Sequence, residues 1–336
     1  MTASPNLIGI GSGLVAAVLF ASLANNSALA LMLFYLTPLP VLLAGMGWGA
    51  RAALLSALTA ALLLALLQTL PTAFAFALYI GLPGLILSYL FLLRRNAPAV
   101  AGPEETPSRS PAAAIEWYPI GEIVAWAAVM AGVLVSLGLL FLGGDSESYR
   151  HAVRSMFDDS ALKELQALLG PEFGRVQLDQ FIERFTRYIL PIFAGVFWLL
   201  VMIGNLWLAA KSAAISGLLD RPVEGFSRIE YPPFLVAGFF AAVGLSLTSG
   251  LIGLVGTAFA GAFGGAFLIM GLAVIHVLLG RSLIKPLVLF VLYVGLFLTP
   301  WIAPIITVLG LIEPFLQLRQ RISRHVPPAS GAGPHR

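Results

Sequence analysis

The chain has no cysteine. Disulfides, thiolate nucleophiles and cysteine-ligated metals are therefore excluded together, and the redox compartment stays open. Charge is scarce as well: Asp, Glu, Lys and Arg make up 10% of 336 residues, against about 25% in soluble domains. With so few ionisable groups, a catalytic constellation of converging acids and bases has little to be built from. What replaces the charge is apolar surface, at 59% hydrophobic residues and a mean hydropathy of +0.94. Such a composition specifies an integral membrane protein. The calculated pI near 9.3 reflects the arginine excess that orients membrane proteins and does not point to nucleic acid.

The expected fold class is all-α, a polytopic transmembrane helix bundle of about ten membrane segments with an amphipathic helical extracytoplasmic loop. Residues 1–93 form a four-segment bundle, from spans at Leu7 to Ala24, a second run broken at Thr37-Pro38-Leu39-Pro40, Ala52 to Leu70, and Thr72 to Leu93. No basic region precedes the first span, so the Ala28-Leu29-Ala30 triplet is expected to stay uncleaved. Residues 94–117, poor in large apolar side chains, read as a flexible cytoplasmic linker. Residues 118–210 hold two spans enclosing loop 143–187, where Ser160 and Gly170-Pro171 delimit the second of two amphipathic helices. Residues 211–318 form a C-terminal membrane bundle, its last apolar run split at Thr299-Pro300-Trp301, and 319–336 are a basic tail.

Arginine and lysine set the orientation. With a cytoplasmic amino terminus, the short links expected inside hold Arg51, Arg94, Arg95, Lys211, Arg221, Arg228 and Lys285, whereas the short outside links hold none. Both termini are thus expected in the cytoplasm, with the chain multi-pass.

The proline pair of the second span is the most informative local feature. Two residues without N–H groups free carbonyls at membrane depth, and those carbonyls need partners from neighbouring helices, hydroxyls or a wet cavity. Neutral polar groups within or beside the spans complete a candidate substrate-binding set: Asn25, Asn26, Tyr35, Thr37, Pro38, Pro40, Gln68 and Asn205. Hydrogen bonding between helices is the competing account of the same residues. A stripe of small residues on the first span, Gly9, Gly13, Ala17 and Ala21, suits close approach of another helix, with Gly13, Ala17 and Ala21 the candidates for partner-helix packing. The glycines of Gly9-Ile10-Gly11-Ser12-Gly13 follow no strand, which excludes a dinucleotide loop. Glu122, Glu313 and His276 fall near cytoplasmic helix ends, where charges reach the interface. His276 has no His or carboxylate at i+3 or i+4, and no Walker motif is present, so neither a metal, another cofactor nor ATP hydrolysis is expected.

Leu39-Pro40 after the Thr37-Pro38 break, the aromatic Trp48-Gly49, and Gly310-Leu311-Ile312-Glu313-Pro314-Phe315 running to Leu318-Arg319 resemble the YybS-like family of bacterial membrane proteins. That family is in turn similar to the substrate-binding S components of energy-coupling-factor vitamin transporters. The resemblance, spread over most of the chain, implies a small-molecule-binding bundle that partners a separate energising module. In S components an Ala-xxx-Ala stripe on the first helix serves that partnership, and Ala17 with Ala21 matches its spacing. About ten segments and a sizeable outside loop depart from the simple six-helix S component. The leading expectation is a transporter-like solute-binding subunit in the lipid bilayer. The alternatives are a non-catalytic scaffold or envelope-assembly factor recruiting partners through loop 143–187, and, last, an intramembrane enzyme.

Overall fold

A computed structural model of the chain describes residues 4–25, 27–96, 115–143, 145–155, 175–223, 229–280, 282–319 and 321. Asn26, linker residues 97–114, the second loop helix with Ser160 and Gly170-Pro171, Arg228 and the tail from 322 lie outside the described residues. Two compact units emerge, and they do not follow sequence order: residues 1–130 with 198–223, and residues 131–197 with 224–336.

In the first unit, α1 (Pro5–Ala21) begins under a Ser4 cap, whose side chain accepts from Leu7 N. A short 3-10 turn (Ser22–Asn25) leads to α2 (Ala28–Tyr35), capped by Ser27, and then to α3 (Pro38–Trp48). Gly49, at φ 87°, turns the chain into α4 (Ala50–Leu67). The next span is α5 (Leu70–Phe76), a π turn (Ala77–Gly81) and α6 (Leu82–Leu92). Its core joins Ala16, Ala17, Val41, Ala53, Ala60, Leu64, Phe76 and Ile80, with the Phe20 and Phe76 rings edge to face at 5.5 Å.

The small-residue stripe of α1 is filled from within the chain. A Cβ on Gly13 would lie 2.5 Å from Ser56 O and 2.7 Å from Thr59 Cβ, so α1 and α4 pack with their backbones nearly touching. Ala17 is buried and Ala21 half-buried in the same core. The face expected to receive a partner helix is therefore occupied by α4, because small residues serve any close neighbour alike. The linker ends are also more ordered than expected: β1 (Arg94–Asn96) pairs antiparallel with β2 (Ile115–Trp117), Arg95 opposite Glu116 with an ion pair at 2.7 Å. Residues 120–130 of α7 (Ile120–Gly143) and 198–215 of α10 (Leu190–Ile215) complete this unit.

The second unit contains α8 (Ser146–Ser155), α9 (Arg175–Arg184), a π turn (Phe185–Ile189), α11 (Pro233–Ser246), α12 (Gly250–Leu278), α13 (Lys285–Leu298) and α14 (Ile302–Leu316). Gly271 and Gly310 let α12 and α14 cross closely, since a Cβ on either would collide with backbone of the other helix.

Among the described residues seven helices are long and apolar enough to cross a bilayer, or up to eight with the bent α13–α14 pair, in place of about ten. One boundary moves, and two further differences lower the count. The sixth span starts at Asp179, through the π turn, and not at Tyr188. Gly250, Gly253 and Gly256 lie inside the single 29-residue α12, and its partner α11 has only 14 residues, about 21 Å, short of a span. Finally, the last two helices meet at a 120° bend and are each shorter than a membrane-spanning helix.

Candidate functional site

The break in the second span closes on itself, carbonyl by carbonyl. Pro38 and Pro40 cannot donate to Phe34 O and Leu36 O, their i−4 carbonyls. Phe34 O instead accepts from Thr37 N at 3.0 Å and from the Thr37 hydroxyl at 2.5 Å, and Leu36 O accepts from Leu39 N at 3.0 Å. Leu39 N is thereby diverted from Tyr35 O. The amide Nδ2 of Asn205, on α10, takes its place at 2.8 Å and gives its second hydrogen to Val201 O, also at 2.8 Å.

Tyr35, Thr37, Pro38, Pro40 and Asn205 thus come together. Thr37 is 0% exposed and Asn205 5%, and both prolines are buried. One atom of this cluster remains unsatisfied: the buried Oδ1 of Asn205 accepts no hydrogen bond among the described residues. Asn25 and Gln68 do not join it. Asn25 is exposed at the end of the 3-10 turn, beyond the length of α2, and Gln68 is exposed at the C-terminal cap of α4.

A second interruption carries residues that the sequence reading passed over. Pro83 offers no N–H to Tyr79 O, four residues earlier, and the chain accommodates it with the π turn. Tyr79 O accepts from the indole Nε1 of Trp198 at 3.1 Å. Trp198 precedes Asn205 by seven residues, two turns of α10, so one face of that helix serves both interrupted spans. Pro83 at i+4 from a mid-span carbonyl was the legible signal.

The charged candidates have structural partners. Glu313 is 3% exposed, buried among protein groups. Its carboxylate accepts from Leu318 N at 3.0 Å, Arg319 N at 3.2 Å and Arg319 Nε at 2.8 Å, closing the turn after Pro314 where Gln317 adopts φ 50°. Arg319 also donates to Ile229 O at 2.6 Å. The His276 ring nitrogen Nδ1 lies 2.9 Å from Leu272 O on its own helix. Among the described residues no three His, Asp or Glu side chains converge as a metal site would require.

In the second unit, an open groove of about 510 Å3 is lined by Arg150, Arg154, Asp179, Glu183 and Thr186, among others. Arg154 pairs with Asp179 at 2.7 Å and Arg150 with Glu183 at 3.5 Å, joining α8 to α9. Tyr149, beneath it, donates its hydroxyl to Thr186 O at 3.2 Å, and burial pushes the phenol up to about 12.

Apolar helices long enough for a bilayer, interruptions satisfied by side chains from other spans, and charges confined to helix ends define a polytopic helical membrane protein. The family described as "Predicted membrane protein (DUF2232)" matches residues 14–313, and the chain belongs to it. No curated protein and no solved structure matches the chain. The family match bears out the coarser part of the resemblance, an uncharacterised membrane family, and lends none to the likeness to YybS-like proteins or S components.

Proposed function

We propose that the protein is a non-catalytic, solute-binding membrane subunit of transporter type, holding an uncharged solute at the interrupted second span. The observation that carries this reading is Asn205 Oδ1, a buried acceptor without a donor beside a proline break. Buried polar atoms are nearly always paired, so this one marks where a hydroxyl or amide N–H of a solute is received. Tyr35 O and Asn205 Nδ2 hold the amide plane so that Oδ1 presents its lone pairs in a fixed direction. In this reading the chain sits in a bacterial inner membrane with its amino terminus cytoplasmic and works with a separate energising module.

The test is a thermal-shift screen of neutral solute classes on protein purified into lipid nanodiscs. A hit at about 100 times its Kd adds about 2.7 kcal/mol to stability. That shift is expected to vanish in Asn205→Leu. No shift with any class in the unmodified protein overturns the reading.

The charged groove between α8 and α9 favours a second reading, a scaffold that docks a partner there. A photo-crosslinker at exposed Gln180 that captures no stable partner in intact cells counts against it.

A further inference from the structure

Two spans of the first unit are interrupted at different depths in sequence, yet both are fastened by the same helix. The second breaks between α2 and α3, where Tyr35 O takes Asn205 Nδ2 at 2.8 Å, and the fourth makes its π turn, where Tyr79 O takes Trp198 Nε1 at 3.1 Å. In neither place can the backbone restore a regular ladder unaided. The rings of Pro38, Pro40 and Pro83 exclude the i−4 carbonyl geometry, so each interruption is permanent and only its angle is free to change. A proline break without an outside donor is a hinge, and one with a donor is a hinge held at one setting.

We propose that Trp198 and Asn205 form a two-point latch on α10 that sets the angle of both interrupted spans and so governs access between them. The seam that the latch holds closed is marked by packing: Val41 of α3 is 0% exposed and lies against Gly84 of α6, directly after the two interruptions. Asn205 gives both amide hydrogens to carbonyls, one on its own helix and one on the break. A donor arriving at its free Oδ1 strengthens that orientation and holds the latch shut. This last coupling rests on the solute reading, whereas the latch itself rests only on the two hydrogen bonds and the prolines. Trp198 is accordingly a positioning residue, acting on the site through Tyr79.

The absence of cysteine in the chain makes a clean test available. Val41→Cys places one thiol at the packed seam between α3 and α6, and Ala60→Cys, also 0% exposed, reports on α4 in the same core. Full-length protein in nanodiscs is labelled with a water-soluble thiosulfonate reagent. Trp198→Phe and Asn205→Leu are each expected to speed labelling at Val41→Cys about three- to eighteenfold, the span of measured interhelical hydrogen bonds in membranes, with Ala60→Cys unchanged. Adding Pro83→Ala returns an N–H to Tyr79 O and is expected to restore slow labelling in Trp198→Phe but not in Asn205→Leu. Unchanged rates at Val41→Cys, equal acceleration at Ala60→Cys, or failure of Pro83→Ala to rescue Trp198→Phe overturns the latch. Acceleration by the latch variants with no slowing by any solute leaves the latch standing and removes the solute reading.

Discussion

A single cation near the end of the first unit illustrates how side chains do backbone work in this protein. Arg221 is buried, sends Nη1 to Phe91 O at 2.7 Å and Nη2 to Tyr118 O at 2.8 Å, and lies 4.4 Å from the Phe91 ring centre. It ties the last turn of α6, through the helix-end carbonyl of Phe91, to the carbonyl of Tyr118, just before α7. Arg221→Ala is expected to lower stability by about 2–4 kcal/mol, and Arg221→Lys to recover less than half because lysine has no planar fork. Thermal unfolding in nanodiscs measures both. Glu313 works the other way round, an acceptor collecting the N–H groups of Leu318 and Arg319. Glu313→Ala leaves Arg319 buried without its carboxylate and is expected to cost about 3–5 kcal/mol, with Glu313→Gln milder because an acceptor remains. Its position near a helix end was legible; its burial was not, and its partner Arg319 is held in turn by Ile229 O, far away in sequence.

At the scale of elements, helix ends and helix crossings decide order. Asp145 caps α8, and the Ser148 N–H first, then the Ser148 hydroxyl and the Glu147 N–H, hold its carboxyl below the usual aspartate range. A depressed folded value means that the cap stabilises α8 fully above about pH 3.9 and loses that effect as pH falls through the folded value. A carboxyl titration of Asp145 by NMR is expected to have its midpoint below that of an unstructured aspartate, and Ser148→Ala to move it up. Crossings are governed by glycine. Gly13→Leu must push α4 away at Ser56 and is expected to cost about 1–3 kcal/mol, whereas Gly11→Ala, which meets nothing within 4 Å, is expected to be neutral or slightly stabilising. The spacing of Gly9, Gly13 and Ala17 announces close packing, but not with whom, because any helix with a smooth face satisfies it.

For the whole molecule, the decisive quantity is how far each apolar segment reaches. Helices α13 and α14, of 14 and 15 residues meeting at 120°, place their far ends only about 22 Å apart, short of a hydrocarbon core of about 30 Å. Reporter fusions near Ser282 and at Arg321 are therefore expected on the same face of the membrane. Fusions at residues 211–223 and 145–155 are expected on opposite faces, because α10 crosses between them. Opposite faces for the first pair would make α13 and α14 a single crossing and reverse the tail.

Membrane residence, the helical class and the place where the second span breaks were determined by the sequence alone, since hydropathy and proline act on the chain locally. Pro83 marks the fourth span's break in the same way, though the sequence reading passed over it. Tertiary structure decided what closes those breaks. The donors to Tyr79 O and Tyr35 O stand 119 and 170 residues away, on one face of α10, and no local pattern assigns a freed carbonyl to a partner at that distance. It also decided that the stripe on α1 is spent on α4 and that the last apolar run folds back on itself. In lipid every backbone group must be satisfied by protein, so which helices lie side by side is settled only when all of them are in place.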